Sequence, residues 1–298
     1  MKIKYLFFLI FTFLFFNCEY KPSIHPTRGK THVLISEDIS PVFIKQINEF
    51  ERYYSEAKIS YGICSAREAV VQLLNDSVKL IAIPRELNQD EWEVVKKYNL
   101  YIDTFNIAFD GVVVIQNKFQ NKTEYSTDDL KEILNGQKQN WSDGSKLIVA
   151  MENQNSGVYN FLTKNFLQKN KIGAIIYPCS TSTQVVDIVE KNKSVLGFIA
   201  SSWNKDFQNN IKIVSIGDKN FQRDTTGKME YFEPHPAHIY RNYYPLKRKI
   251  YLVGRSLSGG VEDGFITFVS SVNGQKIFVN NNLVPATMPV RLISLTSE

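Results

Sequence analysis

From His32 onward, short apolar runs alternate with segments whose apolar residues recur at helical spacing, and this alternation constrains the fold more than any other feature. Strands alternating with helices bury both faces of a sheet, so the pattern predicts an α/β fold with mostly parallel sheets. The runs at 33–36, 58–61, 80–83, 107–115, 147–151, 174–177, 195–200, 211–216 and 249–253 are the candidate strands. Helix starts lie between most of them. Ser40-Pro41 puts a cap residue before a proline at the first helical position, with Phe43, Ile47, Phe50 and Tyr54 following on one face. Ser65 with Glu68, Asn88 with Glu91 and Ser126 with Asp129 have capping-box spacing, and Asn135-Gly136 marks a helix stop.

The first residues read differently. Lys2 and Lys4 precede an apolar run from Leu6 to Phe16 without an acidic residue, the layout of a secretory signal. The run is too short to cross a bilayer and ends at polar Asn17, Glu19 and Lys21. Cys18 stands where a bacterial lipoprotein signal is cut. Residues 1–17 are therefore read as a signal peptide, Cys18 as a lipidated N-terminus and 18–30 as a lipid-tethered linker, the alternative being simple secretion. Without residues 1–17 the formal charge falls from +5 to +3. That mild excess suits an anion-binding protein and excludes the clustered basic stripe of a nucleic-acid binder. Cys64 and Cys179 read as small buried hydrophobes, although an oxidising compartment would allow a bridge. The remaining length, about 280 residues, exceeds what one core usually serves and predicts two lobes.

Catalytic signatures are missing from the sequence. It holds no nucleophile elbow, Walker A loop or Gly-x-Gly-x-x-Gly fingerprint, and neither a cofactor nor a metal is expected. His235 and His238, between prolines, read as an ordinary exposed loop. Ser258-Gly259-Gly260 reads as a turn ahead of a helix over 265–272, and Tyr53-Tyr54 and Tyr243-Tyr244 as core. Three turns carry more weight: 37–41, 64–66 and 153–158. Strand ends that feed helix starts in an open α/β sheet face one crevice, where unpaired N–H groups form an anion seat. Each polar residue there either caps its own helix or contributes to that seat.

At these turns the chain resembles the phosphate-binding component of bacterial phosphate ABC transporters. The resemblance runs from about His32 to Leu295. It is carried by Asp76 to Leu87, by Asn155-Ser156-Gly157, by Val195-Leu196-Gly197-Phe198-Ile199, by Tyr244 to Tyr251, and by Gly274-Gln275-Lys276 followed by Leu283-Val284-Pro285-Ala286. It implies a two-lobed type II periplasmic-binding-protein fold with crossing hinge strands, and phosphate held by main-chain N–H groups, hydroxyls, an arginine and an aspartate. Carried over by position, the binding residues are Asp38, Ile39 and Ser40 in the first turn, Ser65 in the second, and Asn155, Ser156 and Gly157 in the third. Two positions depart from the pattern: Glu152 stands where the family has its arginine, and Val158 where it has a threonine. The family's aspartate falls near Ile83-Pro84, with Arg85 next to it. One reading exchanges the charges, with Arg85 as the cation and Glu152 as the proton acceptor.

The resemblance thus implies lobe one from 31–110 and 245–298, lobe two from 111–244, and a first hinge at Asp110-Gly111. The expected function is binding without catalysis. Phosphate or a related oxyanion is captured in the crevice and delivered to an ABC permease by a lipoprotein on the periplasmic side of a bacterial membrane. The rival expectation is a cell-surface interaction or sensing lipoprotein that keeps the fold and has lost phosphate binding.

Overall fold

The structure, a computed structural model, describes residues 24–169, 171–203, 210–221 and 228–287. The expected signal peptide and Cys18 lie outside the described residues.

Thirteen strands are described: β1 Gly29–Ser36, β2 Ala57–Cys64, β3 Leu80–Ile83, β4 Ile102–Asn117, β5 Glu124–Ser126, β6 Ile148–Glu152, β7 Ile176–Cys179, β8 Val195–Ala200, β9 Ile211–Ile213, β10 Ser215–Gly217, β11 Tyr231–Phe232, β12 Lys247–Arg255 and β13 Val284–Pro285. The helices are α1 Ser40–Tyr53, α2 Ala66–Leu74, α3 Gln89–Lys97, α4 Thr127–Leu134, α5 Gly157–Asn160, α6 Ser182–Lys191, α7 Pro236–Tyr240, α8 Val261–Ser270 and α9 Val272–Asn280. A π-helical segment, Phe161–Leu167, continues α5.

The fold is a two-lobed, mixed α/β architecture. One sheet runs through both lobes in the order β2-β1-β3-β12-β4-β8-β6-β7, with β13 and β9 also pairing β4. At its two ends it is parallel, β1 with β2 and β3, and β6 with β7 and β8. In the middle, β12 runs antiparallel to β3 and β4, and β4 antiparallel to β8. The expected mostly parallel pattern therefore holds only outside the crossing strands, whose antiparallel pairing the apolar pattern does not encode.

β4 pairs β12 through its first half, Ile102 to Gly111, and β8 through Val112 to Gln116. The cores change with it. On one side Val33, Ile35, Phe43, Phe50, Ile107, Ala108, Ile250, Phe265 and Phe278 pack together, with Phe50 meeting Phe265 and Phe268 edge-on at 5.5 and 5.6 Å. On the other, Val112, Val114, Leu130, Val149, Phe198 and Tyr244 form the centre.

Among the boundaries that differ from expectation, three change how the chain is divided. β1 starts at Gly29, within the stretch expected to be a linker, and the Pro26 carbonyl lies against Gly264 of α8, where a Cβ would come within 1.8 Å of it. The helix expected at 265–272 starts at Val261, directly after Gly260, and breaks at Ser271, which caps α9. The strand expected at 211–216 is two, separated at Val214. Tyr53 and Tyr54 lie on the surface, 48% and 37% exposed, while Tyr244 is buried with its hydroxyl donating to the Val112 carbonyl at 2.7 Å. Cys64 and Cys179 are free thiols, both pushed up to about 11 by burial.

Candidate functional site

β1 ends at Ser36, and the chain makes a 3-10 turn over Glu37–Ile39 before α1. This turn projects two buried acids into the boundary between the lobes. The Asp38 carboxylate accepts from the Ser36 hydroxyl at 2.6 Å and from Arg248 Nη1 at 2.8 Å. Arg248, on β12, also donates Nε and Nη2 to Asp110 of β4 at 2.9 and 2.6 Å. The guanidinium thus forks between two carboxylates, a geometry that a planar group with five donors satisfies and a lysine does not. Burial opposes its charge, but the charges of Asp110 and Asp38 outweigh that and hold its pKa above the ordinary value.

Glu37 reaches the other lobe. Its carboxylate accepts from the Ser182 main-chain N–H and hydroxyl, both at 3.0 Å, at the first residue of α6. The same hydroxyl approaches Glu152 Oε1, at the end of β6, at 2.7 Å, so that one hydroxyl bridges the two carboxyls. Two carboxyls in such contact need a proton between them. Burial, then the charges of Asp38 and Glu37, push Glu152 well above the usual carboxylate range. Burial also raises Glu37, against the opposing hydrogen bond from the Ser182 main chain. From lobe two, Ser202 donates to the Asp38 carbonyl at 2.6 Å, and Ser201 accepts from the Gly111 N–H at 3.3 Å.

The three expected turns meet here, though their residues play different parts. Ile39, not Ser40, is the N-cap of α1, because the 3-10 turn moves the helix start by one residue; Ser40 is buried in the first turn. Ser65 caps α2 by accepting from the Glu68 N–H at 3.3 Å, and Ser156 caps α5 by accepting from the Tyr159 N–H at 3.1 Å. The Asn155 carbonyl accepts from the Arg67 N–H at 3.2 Å, joining the second and third turns across the lobes. Gly157 presses on the first lobe: a Cβ there would lie 2.2 Å from Pro84 Cγ and 2.5 Å from Asp38 Oδ2.

Arg85 is not in this cluster. Its guanidinium makes a bidentate pair with Glu91 at 2.7 and 2.7 Å and donates to the Glu86 carbonyl at 2.8 Å, so the exchange of charges between Arg85 and Glu152 does not hold. The cation of the crevice is Arg248, which lies inside the Tyr244–Tyr251 motif. Its role is hidden in sequence because its partners, Asp38 and Asp110, are 210 and 138 residues away. Glu37 and Ser182 were missed for the same reason, since their contact spans 145 residues. His235 accepts from the Ala237 N–H and caps α7, which accounts for the first of the two histidines. Among the described residues there is no group of three or more His, Cys, Asp and Glu able to hold a metal, and no helix is long and apolar enough to cross a membrane.

Comparison with known proteins bears on the family and the fold. Residues 22–273 match the PBP superfamily domain. The phosphate-binding protein PstS of Staphylococcus aureus (strain USA300) is 26% identical over 250 residues, covering 80% of this chain and 73% of that protein. A chain from Clostridium perfringens crystallised with bound phosphate superposes with a TM-score of 0.72 at 17% identity, covering 87% of this chain and all of that one. An ABC-type phosphate transport receptor from Vibrio cholerae gives 0.66 at 17% identity, with the same coverage. These structural likenesses establish the fold.

Proposed function

Because the chain belongs to the PBP superfamily, we propose that it is an extracytoplasmic solute-binding protein that captures phosphate between its lobes and delivers it to an ABC permease. The PstS relative and the phosphate-bound neighbour support the ligand class. The observation that narrows it is the set of carboxyls from Glu37, Asp38 and Glu152 in the crevice. A carboxylate repels a fully deprotonated oxyanion but accepts a hydrogen bond from one that carries a proton, and a protonated carboxyl donates one. Phosphate brings protons near neutral pH; sulfate does not. Hydroxyls of Ser40, Ser65 and Ser156, with main-chain N–H groups from Ile39 and the Asn155–Gly157 turn, would supply the remaining donors when the lobes part.

The lobes are divided at 110/111 and 244/245 in this reading; the change of core between Ala108 and Val112 supports the first division, while Leu246 still packs with Tyr244 and the second change comes before Ile250. Lipid attachment at Cys18 would hold the receptor on the periplasmic side of a membrane. The mechanism involves no catalysis, only closure of the lobes on the ligand.

One observation favours a second reading, a surface interaction or sensing protein without phosphate binding. Glu37 already fills the start of α6, a position an external anion would otherwise take. Calorimetry on residues 19–298 separates the two. Phosphate binding that strengthens as pH falls from 8 to 6, with no heat from sulfate, is the expected result. No heat from either anion at any pH would leave only the second reading.

A further inference from the structure

Beside the crevice lies a groove of about 520 Å³ that shares Arg248 with the carboxyl cluster and no residue with the three turns. One wall is the start of β12 with the 84–89 loop; the facing wall is the end of α5 and its π-helical continuation. Its size falls in the range of roughly 300–1,000 Å³ typical of small-molecule sites, larger than a lone tetrahedral oxyanion fills.

Lysines give the groove its charge. Side chains alternate along a strand, so Lys247 and Lys249 face the groove together while Arg248 between them turns inward to Asp38 and Asp110. Lys164 contributes from the opposite wall. Glu86 is the single acid of the lining. Its carboxylate is taken up by the Tyr251 hydroxyl and by Lys249 at 3.7 Å. The Lys247 ammonium is half-buried, donates to the neutral amide of Asn242 at 2.7 Å and lies 4.3 Å from the centre of the Phe109 ring. Burial and then the charge of Lys249 lower its pKa. Pro84 and Arg85, the latter paired with Glu91, also line the groove, together with the carboxamides of Asn88, Gln89, Asn160 and Asn165 and the ring of Phe161. Carboxamides pair donors and acceptors with hydroxyls, and an aromatic ring packs against the C–H face of a sugar.

We propose that this groove binds a sugar phosphate, its phosphate on Lys247 and Lys249 and its hydroxyls on the carboxamides of both walls. The proposal does not rest on the crevice binding inorganic phosphate. Glucose 6-phosphate is the probe, titrated at low ionic strength into residues 19–298, with glucose as the uncharged control. The expected result is binding of the phosphoester but not of glucose. Saturating inorganic phosphate should leave that binding in place, and the Lys247→Ala/Lys249→Ala double variant should weaken it at least tenfold. Lys247→Gln/Lys249→Gln serves if the alanine variant does not fold. Absence of binding, displacement by inorganic phosphate, or unchanged affinity in the folded double variant would overturn the assignment.

Discussion

Arg248 carries the greatest consequence at the level of single residues. It is buried between Asp38 and Asp110, with side-chain exposure of 1% against 0% for both acids. Removing one member of a buried ion set leaves the others uncompensated, so Arg248→Ala is expected to destabilise the fold by about 3–5 kcal/mol. Urea denaturation measures this, and an effect below about 1 kcal/mol would mean that the triad contributes little. Glu152 acts through pH. Its folded pKa lies above its ordinary value of 4.5, as does that of Glu37, so the native state holds protons that the unfolded chain releases. The stability these groups contribute is complete below about 4.5 and is lost as pH rises through their raised values. The melting temperature should accordingly fall as pH increases above 5, and Glu152→Gln should flatten that slope; a wild-type slope retained in the variant would remove Glu152 as its cause. Little of this was legible in the sequence. The departure at Glu152 was visible, but its partner, Ser182, is brought to it only by the fold.

Secondary-structure elements were more legible, since their signals are local. Asn88 with Glu91 and Ser126 with Asp129 form complete capping boxes, each side chain bonding the other's main-chain N–H. Ser126→Ala should cost about 1 kcal/mol, read from the shift of the unfolding midpoint. Strands β3 and β8 lie where their apolar runs end, at Leu80–Ile83 and Val195–Ala200. Boundaries slipped where a tertiary contact decides them. Ser40 lost its capping role to a 3-10 turn, and β1 was lengthened by pairing with β2 from Gly29. Gly157 belongs to this scale as well, because a side chain there pushes a whole turn. Gly157→Ala should prevent the 153–158 turn from seating on Pro84 and Asp38 and so favour separated lobes. Small-angle scattering would register this as a larger radius of gyration than wild type, and identical curves would show that the turn has room to yield.

For the molecule as a whole, the sequence predicted two lobes, and the fold has two; what it did not predict is that one sheet runs through both. Ile102–Asn117 is a single strand of 16 residues, paired along one half with β12 and along the other with β8. Neither half has an independent edge at which the chain could be divided. A fragment of either lobe would carry β4 with half of its ladder hydrogen bonds exposed, an invitation to pair with other chains. Heating should therefore give one calorimetric transition rather than two, and fragments expressed alone should aggregate where the intact chain stays in solution.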